Sequence, residues 1–133
     1  MLLKYPLNTN FRSQIINITA QVRDAVRQSG VVDGIVTVYC PHTTAGITIN
    51  EGADPNVVRD ILFRLDELFP WEHPSYTHSE GNSAAHLKAS MVGTSQAVPV
   101  TGGKLTLGTW QAIYFCEFDG PRDRTLLIKV QQG

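Results

Sequence analysis

Ala97-Val98-Pro99-Val100-Thr101-Gly102-Gly103-Lys104-Leu105-Thr106-Leu107 reads as a hairpin, two short apolar runs meeting at Gly102-Gly103. Thr109-Trp110-Gln111-Ala112-Ile113-Tyr114-Phe115-Cys116-Glu117-Phe118 follows it, rich in β-branched and aromatic residues. Asp119 to Asp123 then carries a Gly-Pro turn, and Arg124 to Gln131 alternates as a further strand. Four strands in succession with no helix between them exclude a βαβ arrangement for this third of the chain and argue for antiparallel pairing.

Upstream, the pattern mixes periods. Leu2 to Asn8 and Ser13 to Ile18 read as strands. Ile18, Val22 and Val26 recur at i+4 and predict a helix over Thr19 to Ser29, stopped by Gly30. Gly34 to Cys40 is a β-branched strand. After Pro41, alternation from His42 to Asn50 predicts one strand with His42, Thr44, Thr48 and Asn50 on a shared face. Asp54-Pro55 opens a helix as N-cap and N1, with an apolar stripe of Val58, Ile61, Leu62, Leu65, Leu68 and Phe69, and Pro70 ends it. Residues 71–82 form a polar, aromatic-bearing loop, and Ala84 to Ser90 a short helix. The fold class expected is α+β: a mainly antiparallel β-sandwich with helices packed outside, in a single domain over residues 1–133.

Bulk properties narrow the function. A chain of 133 residues with 42% hydrophobic and 17% charged residues is an ordinary globule. Eleven basic residues against twelve acidic ones give a formal charge of −1 and no basic field for nucleic acid. Met1 to Pro6 has no long apolar leader segment, and no apolar run nears the roughly 20 residues of a membrane span. The expectation is a cytoplasmic protein without nucleic-acid or membrane partners. Cys40 and Cys116 both fall in strands; a disulfide is compatible with that, but a cytosolic chain favours buried thiols.

The densest chemistry lies in His78-Ser79-Glu80-Gly81-Asn82-Ser83-Ala84-Ala85-His86-Leu87-Lys88. Two imidazoles and a carboxylate flank a turn that enters a helix, whose free N–H groups can face an anion. Three readings follow. His42, His78 and His86 could share a divalent metal, or each could be an ordinary surface or capping residue. Gly81, Asn82 and Ser83 with Lys88, Arg122 or Arg124 could hold a phosphate, or these could be solvated charges and caps. Glu117, flanked by apolar residues, needs a partner; it is either a structural pair with Arg124 or a ligand or general base.

Three motifs then resemble one family. Pro41-His42-Thr43-Thr44-Ala45-Gly46-Ile47-Thr48-Ile49-Asn50-Glu51, His86-Leu87-Lys88-Ala89-Ser90-Met91-Val92-Gly93, and Gly108-Thr109-Trp110-Gln111-Ala112-Ile113 with Glu117 and Arg124 are similar, in order, to segments of the YjbQ-like proteins. That family carries the description of a secondary thiamine-phosphate synthase. The resemblance implies a trimeric α+β sandwich and a cleft near the histidines. It also implies weak transfer activity, joining a pyrimidine pyrophosphate to a thiazole phosphate with release of pyrophosphate. The leading reading of the residues, strengthened by this resemblance, gives catalytic roles to His42, His78, His86 and Glu117, with the three histidines also as ligands of a zinc or magnesium ion. Contacts to a phosphorylated substrate would come from Thr43, Asn50, Gly81, Asn82 and Ser83, together with Lys88, Ser90, Trp110, Gln111 and Arg124. A chain this short cannot be the (β/α)8 barrel in which thiamine phosphate is ordinarily made, so any such activity uses a different site. The rival reading is a non-catalytic module that binds a metal or a phosphorylated metabolite.

Overall fold

A computed structural model describes all 133 residues. In chain order the elements are β1 (Leu2–Asn8), β2 (Gln14–Asn17), α1 (Thr19–Ser29), β3 (Gly34–Tyr39), β4 (Ala45–Glu51) and α2 (Pro55–Leu68). They continue with α3 (Ser83–Val92), β5 (Ser95–Thr101), β6 (Lys104–Leu105), β7 (Gln111–Glu117) and β8 (Asp123–Gln132). The strands form two antiparallel sheets, a five-stranded one in the order β1-β8-β3-β5-β6 and a three-stranded one in the order β2-β7-β4. The fold is α+β, as the run of strands at the C-terminal end requires.

The main core is shared by both sheets. Val36, Val38, Val98, Val100, Leu126, Ile128 and Val130 come from the large sheet, and Ala45, Ile47, Ile113 and Phe115 from the small one. Helix α1 belongs to the same core through Val22, Ala25 and Val26. Only α2 and α3 lie outside, against the far face of the small sheet, where Ala85 and Ala89 meet Tyr114, Cys116 and Phe118. The expectation that all helices pack outside is therefore corrected for α1. Its stripe of Val22, Ala25 and Val26 is matched to an inner surface, and Thr19 Oγ1 accepts the Ile113 N–H at 3.0 Å, tying the helix to β7. Asp54 caps α2 as its sequence requires, accepting from Asn56 N at 2.9 Å with Pro55 in the first turn. No helix is long and apolar enough to cross a membrane.

Two strand assignments also change. Strand β4 starts at Ala45, so His42 and Thr44 do not share a strand face with Thr48 and Asn50. The reason lies at the end of β3, which stops pairing with β8 at Tyr39↔Leu127. Beyond that point Thr125 N donates to His42 Nε2 at 3.0 Å, so the imidazole takes the place of the missing strand and the chain turns aside. Strand β6 is only Lys104–Leu105: Thr106 N still donates to Pro99 O at 2.9 Å, in register with the hairpin, but Pro99 has no N–H to return the bond and the ladder ends there. Gly102 and Gly103 have φ of 61° and 75°, the paired left-handed residues that a two-residue hairpin turn needs. Gly46 is needed for a different reason. A Cβ there would stand 2.5 Å from Gly93 O, where β4 passes the end of α3.

Candidate functional site

One end of the molecule collects the end of β3, the start of β4, the end of β7 and the start of β8. The register sets Glu117 opposite both Gln14 and Ala45, which leaves its side chain fully buried at the junction of the two sheets. Arg124, one residue into β8, meets it there. Arg124 Nε donates to Glu117 Oε1 at 2.7 Å and Nη2 donates to Oε2 and, at 2.8 Å, to Thr44 Oγ1. Thr9 Oγ1 donates to Oε1 at 2.8 Å and Asp119 N to Oε2 at 2.9 Å. Burial alone would raise the Glu117 carboxyl. The hydrogen bonds from Arg124, Asp119 and Thr9 and the guanidinium charge outweigh it, and the group is held below the usual carboxylate range. Gly120 fits closely over this network; a Cβ would lie 2.7 Å from Thr9 Oγ1.

Above this floor lies a pocket of about 390 Å³ with no hydrophobic residue in its lining. His42, Thr43 and Thr44 form one wall; His78, Glu80, Asn82 and His86 form another; Arg122 and Arg124 lie between. All three histidines singled out in the sequence thus line one cavity. The His78 and His86 rings are 5.2 Å apart and perpendicular, edge to face. Glu80 Oε1 is 3.9 Å from His78 Nε2. Arg124 Nη1 has no protein partner, and neither does Nη1 of Arg122, whose Nε and Nη2 are held by Asp119 O and Oδ2 at 2.8 Å. Two guanidinium groups are therefore fixed in orientation, each with donors left over. Helix α3 begins beside them without a side-chain cap, because Asn82 Nδ2 is turned to Asp119 Oδ2 at 2.9 Å. Asn82 Oδ1 is buried without a hydrogen-bond partner.

As they stand, the three histidines do not fit a three-ligand metal centre. No three His, Cys, Asp or Glu side chains are grouped tightly enough for one ion. His42 Nε2 is engaged by the Thr125 backbone, 3.0 Å from its N and 3.2 Å from its O. Desolvation and the nearby Arg124 charge hold the His42 pKa below its ordinary value, so the neutral ring is favoured.

The other sequence-predicted residues scatter. Lys88 is buried beneath α2, paired with Asp66 and 5.9 Å from the Phe118 ring centre, and does not line the histidine pocket. Ser83 lines a neighbouring hollow with Tyr76, Leu87 and the far sides of His78 and His86. Gly81 forms the turn before α3, with φ of 75°, and Ser90 is exposed on α3 outside the pocket. Asn50, Trp110 and Gln111 belong to the other end of the small sheet. Gln111 pairs with Glu51 where Glu117 pairs with Ala45, a strand length of roughly 20 Å. There Trp110, 65% exposed, and Gln111 line a separate small hollow with Arg23. Sequence reasoning missed Thr9, Asp119 and Asp66. Thr9 lies 108 positions from the carboxylate it binds, and nothing in its neighbours marks it.

The fold and this strand-end pocket define a class of small two-sheet α+β proteins with a polar, histidine-lined cleft. Within it, the chain belongs to the UPF0047 YjbQ-like family, whose model matches residues 4–133. It is 55% identical over 130 residues to the UPF0047 protein YugU of Bacillus subtilis, covering 98% of each chain. It is 52% identical to a UPF0047 protein of Methanocaldococcus jannaschii, covering 98% of this chain and 94% of the other. A crystal structure of a YjbQ/UPF0047 protein from Clostridium acetobutylicum superposes with a TM-score of 0.95 at 57% identity, over 97% of this chain and 99% of that one. A protein of unknown function from Sulfolobus solfataricus superposes with the same score at 32% identity, over 100% and 97% of the two chains.

Proposed function

We propose that the strand-end pocket binds a phosphorylated metabolite and catalyses transfer at the carbon bearing a pyrophosphate, with thiamine-phosphate formation as the activity to assay first. One observation carries the reading. Two oriented guanidinium groups with free donors line, with two imidazoles, a mainly polar cavity of about 390 Å³. Arg122 and Arg124 would neutralise the phosphate oxygens. His78 and His86 would hold or deliver protons to them, since imidazole suits proton transfer near neutral pH. In the transfer itself the carbon–oxygen bond to pyrophosphate breaks, the bond to the thiazole forms, and the developing charge on the leaving group meets the guanidinium groups. His42 would orient the rim from its bond to Thr125, and Glu117 would fix Arg124 rather than act as a base.

The chain is further proposed to work as a homotrimer, as its family resemblance implies. Support comes from α2, whose amphipathic stripe has no buried residue within one chain, and from Phe63, Leu68 and Met91, each about 60–70% exposed nearby. Light scattering at micromolar concentration should give three times 14.7 kDa; a monomer would reject the assembly.

The test of the function pairs turnover with binding. The purified protein is incubated with the pyrimidine pyrophosphate and the thiazole phosphate, and pyrophosphate release is followed. His86→Ala and His78→Ala should lower turnover by about 100-fold if they are acid–base groups. Calorimetric titration with pyrophosphate should show affinity reduced about fivefold by Arg122→Ala. Binding without turnover of any phosphorylated substrate would favour the non-catalytic module; absence of both would reject the pocket.

A further inference from the structure

The largest cavity lies away from the histidines. It measures about 610 Å³, within the ordinary range for small-molecule sites. It exists because two elements stop short. Helix α1 ends at Gly30, and edge strand β6 ends at Leu105, so the space between the last turns of the helix and the sheet edge is left unfilled. Val26 at its floor is buried in the main core, and Val31 and Leu105 pack against the same core from the side. The walls are thus continuous with the protein's apolar interior.

Its charges are of one sign. Arg23, Arg27 and Lys104 line it and no carboxylate does. Arg27 is held by Asp24, Nη2 to Oδ1 at 2.5 Å, whereas Arg23 and Lys104 take part in none of the ion pairs of the structure. The partial negative charge of the α1 C-terminus opposes an anion here, but two of its carbonyls are already occupied. Ser29 Oγ donates to Val26 O at 2.7 Å and Gly30 N to Arg27 O at 3.3 Å. Two unpaired cations beside an apolar cavity form a complementary surface for a molecule with an anionic head and an apolar body.

We propose that this cavity is a second binding site, distinct from the histidine pocket, for a small amphipathic organic anion whose apolar body lies against Val26, Val31 and Leu105 and whose head lies between Arg23 and Lys104. The ligand is defined by that chemistry: one charge, borne as a carboxylate or an equivalent group, on a chain or ring system without further charges. It differs from the ligand of the histidine pocket, whose lining is polar but for Pro41.

Calorimetric titration of the purified protein with decanoate, decan-1-ol and decyltrimethylammonium, all below micelle-forming concentrations, tests this without any variant. Saturable decanoate binding is expected, about tenfold weaker for the alcohol and weaker still for the cation. Equal affinity for all three, or no saturable binding of decanoate, would overturn the proposal. Arg23→Ala and Lys104→Ala should each weaken decanoate about three- to tenfold while leaving pyrophosphate affinity unchanged. Val31→Trp, which fills the cavity, should abolish decanoate binding in protein whose melt shows it is folded; undiminished decanoate affinity in that variant would equally overturn the assignment.

Discussion

Replacing Arg124 by Met tests whether the pocket floor is an ion pair holding two sheets together. The substitution keeps the length of the side chain and removes the guanidinium from a carboxylate with no solvent exposure. Glu117 would keep only the Thr9 hydroxyl and the Asp119 N–H. Leaving one member of a buried pair uncompensated costs about 3–5 kcal/mol. With a urea m-value of about 1.5 kcal/mol/M, the midpoint falls by roughly 2–3 M. The pH dependence should also invert. In the native protein the Glu117 pKa is depressed, so its contribution is present above the ordinary glutamate pKa and is lost as pH falls through the lower folded value. In the variant, burial dominates and the folded pKa rises above the unfolded one. The variant then gains stability as pH falls from the raised folded value toward the ordinary one. Urea melts at several pH values between 4 and 7, on both proteins and on Glu117→Gln/Arg124→Met, decide it. The double variant removes both charges, and Gln keeps both contacts in altered form, its oxygen accepting from Asp119 N–H and its amide N–H donating to the Thr9 hydroxyl, so it should recover most of the loss. An Arg124→Met cost below about 1 kcal/mol, or an equal cost in the Glu117→Gln background, refutes the reasoning.

Other outcomes are expected. Nuclear magnetic resonance should show His42 titrating below the ordinary histidine value of about 6.5, through desolvation and the nearby Arg124 charge, and neutral at pH 7. Because its folded pKa is lowered, the unfolded chain binds the extra proton first, and this group destabilises the fold as pH drops through that value; a pKa above 7 contradicts it. Gly46→Ala should cost about 1–3 kcal/mol in thermal or urea melts, because its Cβ meets the Gly93 carbonyl at 2.5 Å and neither strand nor helix end can retreat freely. Gly81→Ala, whose Cβ meets nothing, should cost less than that despite its φ of 75°. Cys40 and Cys116 are buried, with thiols pushed up to about 11 and about 12, so both should resist a thiol reagent at pH 8 until the protein is unfolded.

Much of the fold was legible because it is local. Alternation in Gly34–Tyr39 and in the last strand, the Gly102-Gly103 turn, and the Asp54-Pro55 cap each act over a few residues. The fate of His42 was not legible. It alternates properly with Thr44 and Thr48, but a backbone N–H left over at Thr125, 83 positions away, draws the imidazole out of the strand. Lys88 misled for a similar reason. Two residues and so about half a turn after His86, it presents the opposite side of α3 and its charge is answered by Asp66 on α2, which only the packing of two helices reveals. The site's histidines were recoverable from composition and motif, whereas the Thr9 and Asp119 contacts to Glu117 depend on register between strands and had no local sign.

The clasp between the sheets and the floor of the pocket are the same four side chains: Thr9, Thr44, Glu117 and Arg124. That identity divides the cleft into a part that can be exchanged residue by residue and a part that changes only as a unit. An engineer seeking a new substrate preference has Thr43, Glu80 and Arg122 at the rim, all exposed enough to exchange without unfolding the chain. A selection that randomised the lining alone would instead return Arg124 in its folded clones, whatever ligand was applied, because the Glu117 carboxylate beneath it would be left unchanged and in need of its partner.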